Sequence, residues 1–130
     1  MRVLVDTSVW VAHFKQRDAH LVTLLESGLV VCHPHVVVEV ACGTPPARSA
    51  IVSMMATLDS LPAASHSELL LLIERRRLFG RGGGFVEVSL LASALLSDQV
   101  RVWTHDRRLG TLADAVGRRY GPPLPASSTG

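Results

Sequence analysis

Four acidic residues stand at the edges of apolar segments. Asp6 closes RVLVD, Glu39 interrupts VVVEVA, Glu87 opens EVSLLASALL and Asp106 follows VRVWTH. A carboxylate beside a core strand is costly to desolvate unless something pairs with it. Brought together by a fold, several such groups make a site for a hard divalent cation, Mg²⁺ or Mn²⁺, which prefers oxygen ligands and keeps several waters. An ion of that kind lowers the pKa of a bound water and offsets charge building on a phosphate. Carboxylates alone would repel a phosphodiester, so the cation is needed to reverse the local field. Asp6 and Asp106 are the best candidates for direct ligands; Glu39 and Glu87 are longer and suit contact through waters. Each acid also has a structural reading. Asp6 and Asp106 precede helical segments and could be N-caps. Glu87 could be a first-turn acid answering the helix dipole, and Glu39 a partner of an arginine in a buried ion pair. No spacing rule unites the four.

The elements that must position them alternate between strand and helix. RVLV reads as a buried first strand with Asp6 at its C-terminal end. A short helix follows over TSVWVAHF, and a second spans Asp18 to Ser27, with Gly28 as its stop. LVVC is the second strand. Pro34 suits the first turn of a helix and Gly43 its end, which puts Glu39 inside a helix, with a strand over 36–40 as the alternative. A helical stripe of Ala47, Ala50, Ile51, Met54, Met55 and Leu58 follows. Ser65 and Glu68 have capping-box spacing ahead of LLLLIERRRLF. GRGGG (80–84) breaks that helix and lacks the Lys-Ser/Thr of a P-loop. Glu87 to Ser97 returns to helix, VRVWT is a strand, and Asp106 to Ala115 is a last helix. The alternation implies a parallel sheet flanked by helices, whose sites form at the C-terminal ends of strands. Asp6 and Asp106 both lie at that edge.

The 130 residues fit one domain over 1–120, with the tail 121–130 expected to be disordered. A hydrophobic content of 48% with 18% charged residues supports a packed core. No apolar run is long enough to span a membrane, and MRVLVD turns acidic too soon for a signal peptide. The chain therefore reads as cytoplasmic, with no membrane partner. Cys32 and Cys42 fit no zinc spacing and read as two buried thiols. Lys15 is the only lysine, so the cations are almost all arginine, which suits phosphate. A net charge of +2 excludes a claim of nucleic-acid binding on charge alone. The local clusters are Arg75–Arg76–Arg77, Arg81, Arg107–Arg108 and Arg118–Arg119.

Other residues have plainer readings. His33-Pro34-His35 has no third ligand nearby and reads as a helix start. His105 reads as an exposed polar residue beside Asp106. Trp10 and Trp103 sit in apolar contexts and read as core. Met54 and Met55 read as core, with a soft groove for a peptide as the alternative. A strand-then-Asp start also occurs in aspartyl phosphotransferases, but a DxDx signature needs an Asp where this chain has Ser8.

In order, VLVDTSVW, VVVEVACG, LLLLIERRRLFGRGGGFVEVSLLASALL and VWTHDRRL resemble the successive motifs of PIN-domain proteins, closest to the VapC toxins of VapBC toxin–antitoxin pairs. The resemblance runs from about Met1 to Leu112. It implies an α/β fold, a three-layer α/β/α sandwich with a small, mainly parallel sheet, and an Mg²⁺- or Mn²⁺-dependent endoribonuclease. The family's acids map onto Asp6, Glu39, Glu87 and Asp106. Ser8 and Thr104 match the family's hydroxyl residues and would hydrogen-bond carboxylates or a metal water. Arg107 and Arg108 would position the RNA backbone. The resemblance also implies a VapB-type antitoxin, operator DNA bound only through it, and a homodimer. The helices at 18–27 and 46–58 are the expected antitoxin groove. One departure matters: the family usually has Asp where this chain has Glu87, and a histidine where it has Ser89. A module that mainly binds its antitoxin, with little catalysis, is the alternative this leaves open.

Overall fold

A computed structural model describes residues 1–123; the expected disordered tail lies largely outside the described residues, from 124 onward. Three strands, β1 (Arg2–Val5), β2 (Val30–Val31) and β3 (Val100–Trp103), form a parallel sheet in the order β2-β1-β3. Val3, Leu4 and Val5 are fully buried, as are Val31, Val100 and Val102. A strand covered on both faces has no polar face to alternate with, which is why these segments read as continuous apolar runs. Single parallel bridges extend the sheet at both edges, Cys32 with Ser60 and Val102 with Arg119.

The helices are α1 (Thr7–Lys15), α2 (Ala19–Glu26), α3 (Pro34–Cys42), α4 (Arg48–Thr57), α5 (His66–Arg76), α6 (Phe85–Leu96) and α7 (Arg107–Ala115). The crossover from β1 to β2 and the crossover from β2 back past β1 to β3 run in opposite directions. With the right-handed sense such connections take, their helices lie on opposite faces of the sheet, which is the expected sandwich. The same reversal makes a crevice outside the carboxyl ends of β1 and β3.

Local chemistry sets the helix ends. Asp18 caps α2 by accepting from the Leu21 N–H at 3.0 Å. Ser65 and Glu68 form the expected capping box on α5, at 3.1 and 2.8 Å. The segment 36–40 is helix, not strand. Its start is held by Pro34 and by the buried His33 ring, whose Nδ1 accepts from the His35 N–H at 3.1 Å. Two boundaries differ from expectation. α5 stops at Arg76 rather than running to Phe79, because Arg77 turns left-handed and the Leu78 N–H reaches back to the Ile73 carbonyl, which buries Leu78. α6 begins at Phe85, so Glu87 sits within its first turn rather than opening it.

Trp10 and Trp103 are core residues, as expected, and so is Met55, whereas Met54 is partly exposed. Both cysteines are free, but only Cys32 is buried; Cys42 is exposed. Arg118 is structural: its Nη1 donates to the carbonyls of Ala94, Ser97 and Val100 and ties the end of α6 to β3. Arg119 pairs with Asp114 at 2.8 Å. No helix of the described residues is long and apolar enough to cross a membrane.

Candidate active site

Asp6 follows β1 directly, and its backbone N–H continues the sheet by donating to the Trp103 carbonyl at 2.9 Å. Thr104 follows β3, so the register that pairs Val5 with Trp103 sets the two side by side. Thr104 Oγ1 donates to Asp6 Oδ2 at 2.8 Å and accepts from the Asp106 N–H at 2.9 Å. Ser8 Oγ donates to the same Asp6 oxygen at 2.6 Å and accepts from the His105 N–H at 3.0 Å. Each hydroxyl has one proton, and both are committed to Asp6. The 3.2 Å approach of the two hydroxyl oxygens is therefore a consequence of their shared acceptor. Asp6 is 7% exposed. A carboxylate so buried is held by donors rather than by water, and hydrogen bonds to a charged group contribute about 1.5–3 kcal/mol each.

All four acids line one cavity of about 260 Å³, together with Thr7, Ser8, Val86, Leu90 and Leu109. The fold thus unites residues that sequence spacing could not. The structural readings of the acids hold as well. Asp6 caps α1, with the Ser8 N–H at 3.4 Å, and Asp106 caps α7, with Oδ1 accepting from the Leu109 N–H at 2.9 Å. Glu87 folds back onto the Gly84 N–H at 3.1 Å. Capping engages one oxygen of each carboxylate, so cap and cavity lining are compatible. The buried ion pair weighed for Glu39 is not found among the described residues. Glu39 is exposed, on the face of α3 turned to the cavity, and Thr7 Oγ1 donates to its Oε1 at 2.7 Å. From the sequence Thr7 is expected only near the cap of the first helix, a place Asp6 takes; its contact with Glu39 could have been suspected from its position directly after Asp6.

The donor set suits a hard cation: four carboxylates around one cavity, none in a salt bridge among the described residues. The side chains are not arranged as a closed cage, however. No group of three or more His, Cys, Asp or Glu stands at metal-holding spacing among the described residues. Glu39 and Glu87 are turned toward Thr7 and Gly84, while Asp6 and Asp106 both touch Thr104. Mg²⁺ is commonly held by one or two carboxylates and several waters, which an aspartate pair can supply.

Two basic residues follow Asp106 directly in sequence. Arg107 and Arg108 are exposed at the start of α7, and neither lines the acidic cavity. Arg108 lies along the glycine-rich loop, where a Cβ on Gly82 would meet its Cδ at 3.5 Å. His105 is exposed, with its ring edge-on to Trp103. His33 and His35 form no metal site among the described residues. His33 is fully buried, and desolvation, followed by its neighbour His35, pushes its pKa down to about 4. Because Nδ1 accepts from the backbone, Nε2 carries the proton and donates to Ser93 Oγ at 3.0 Å, and Ser93 in turn donates to the Pro62 carbonyl at 2.8 Å. A cavity of about 230 Å³ opens beside α1 and the end of α3, lined by Val11, Phe14, Glu39 and Pro46 among others.

No family model matches the chain. Among curated proteins it is 45% identical to Ribonuclease VapC32 of Mycobacterium tuberculosis, in both the CDC 1551 / Oshkosh and the H37Rv strains, over 107 residues. The match covers 82% of this chain and 86% of the relative.

Proposed function

Since the chain belongs to the VapC-type PIN-domain ribonucleases, we propose that it is the toxin of a type II toxin–antitoxin pair and cleaves RNA phosphodiesters with the help of a divalent cation. The observation that carries this reading is the single cavity lined by Asp6, Glu39, Glu87 and Asp106. Asp6 and Asp106 are the residues to hold Mg²⁺ or Mn²⁺, and Glu39 and Glu87 complete the acidic pocket. Such an ion, when bound, supplies an activated water and offsets the charge on the phosphate. The chain's own part is orientation. Ser8 and Thr104 fix the Asp6 carboxylate, and Thr104 also holds the backbone that carries Asp106. Thr7 holds Glu39. Arg107 and Arg108, exposed directly after Asp106, are the residues to meet the RNA backbone. In-line attack would leave a 5′-phosphate and a 3′-hydroxyl.

A VapB-type antitoxin, operator DNA reached only through it, a homodimer and a cytoplasmic location complete the reading. Cleavage of RNA in Mg²⁺ or Mn²⁺, compared between wild type and Asp6→Ala, tests it. Metal-dependent cleavage that disappears in the variant supports the enzyme; equal traces in both would sink it. The fold of Glu87 onto Gly84 favours, as a second reading, a weakly active module that works mainly by binding its antitoxin.

A further inference from the structure

Phe85, the first residue of α6, is 55% exposed although it sits beside two histidines that could have covered it. Its ring centroid lies 5.3 Å from that of His35 and 6.0 Å from that of His66, the latter edge-on. His35 is backed by the His33 ring at 4.8 Å. Two hydrogen bonds lock that ring in place, so the aromatic group is braced from the core. Phe85 also lines a cleft of about 450 Å³, walled by Leu69, Leu70, Ile73 and the backbone of Gly83 and Gly84. No acid lines this cleft. The next two residues, Val86 and Glu87, line the acidic cavity. Cleft and cavity therefore share the first turn of α6. Arg81 in the glycine-rich loop, and Arg108 lying along Gly82, bring cations to the same loop.

A braced aromatic ring, an apolar slot and nearby guanidinium groups are what single-stranded nucleic acid requires: a face for a base and cations for its phosphates. We propose that the Phe85 cleft is a base-binding subsite, in which a nucleobase next to the phosphate held at the acidic cavity stacks on the Phe85 ring. This inference rests on the ribonuclease reading above. Continuity with the acidic cavity and the basic loop favours RNA over a second copy of the chain as the occupant.

Binding of a labelled single-stranded RNA of roughly 12 nucleotides, with Ca²⁺ replacing Mg²⁺, tests the proposal in wild type, Phe85→Leu, Phe85→Ala and Phe85→Trp. The two aliphatic variants should weaken binding about tenfold, the size of one lost base–aromatic stack, while tryptophan retains it. A 2-aminopurine in the RNA should be quenched by wild type and by Phe85→Trp, and not by Phe85→Leu. Equal affinity and quenching in all four proteins would overturn the subsite. So would a change of sedimentation mass in Phe85→Leu, which would assign the cleft to contact between copies. If wild type itself neither binds nor cleaves RNA, the ribonuclease reading fails first, and the subsite with it.

Discussion

Thr104 Oγ1 stands between the two aspartates, donating to one side chain and accepting from the backbone of the other. Thr104→Val keeps the shape and removes both bonds, leaving the Asp106 N–H without its acceptor. It should cost about 1–3 kcal/mol of stability and weaken Mn²⁺ binding roughly 10–100-fold, read by thermal melting and by titration calorimetry. Glu87 has a different problem. Its extra methylene lets the carboxylate reach back to the Gly84 N–H, which commits one of its two oxygens to the helix end. Glu87→Asp is too short for that bond. It should lower stability by about 0.5–1 kcal/mol through loss of the cap while tightening Mn²⁺ binding. Unchanged metal affinity would put Glu87 outside the ligand set. The four acids stood out in the sequence because each lies beside an apolar run, whereas Ser8 and Thr104 were marked only by the family resemblance. The sequence could not show that Asp6, Asp106 and Glu87 are caps and cavity-lining groups at once.

At the scale of elements, the glycine-rich loop between α5 and α6 sets the position of the Glu87 turn. A Cβ on Gly83 would stand 2.6 Å from Leu112 Cδ1, and Leu112 is a core residue of α7. Gly83→Ala must push the loop or Leu112 aside. It should cost about 1–3 kcal/mol and lower RNA cleavage along with stability, measured on the same preparation by melting and by turnover. Helix type and order were legible because caps and breakers are local: Pro34, Gly28, the Ser65–Glu68 box. The ends of α5 and α6 were not, since the turn at Arg77 depends on burying Leu78, a contact that periodicity does not reveal.

At the scale of the whole molecule, His33 joins the end of β2, the start of α3, Ser93 of α6 and the Pro62 carbonyl in one buried chain of hydrogen bonds. Its folded pKa of about 4 lies below the ordinary 6.5. Above pH 6.5 the imidazole is neutral in both states and its contribution is complete. As pH falls from 6.5 toward 4, the unfolded chain takes up the proton first, so stability drops. The loss is at most about 3 kcal/mol and ends near pH 4, where the folded chain also protonates. Denaturant melts of wild type and His33→Asn across that window should converge as pH falls; parallel curves would exclude His33 as the titrating group.

By itself the sequence determined the alternating order of elements, the apolar strands and the identity of the acids, because each is written in neighbouring residues. The tertiary structure alone decided that residues 6, 39, 87 and 106 share a cavity, and that only Asp6 and Asp106 meet through Thr104. It also decided that Phe85 opens onto the slot beside them. Those relations depend on which strand lies next to which, and the order β2-β1-β3 is fixed by packing across the whole chain.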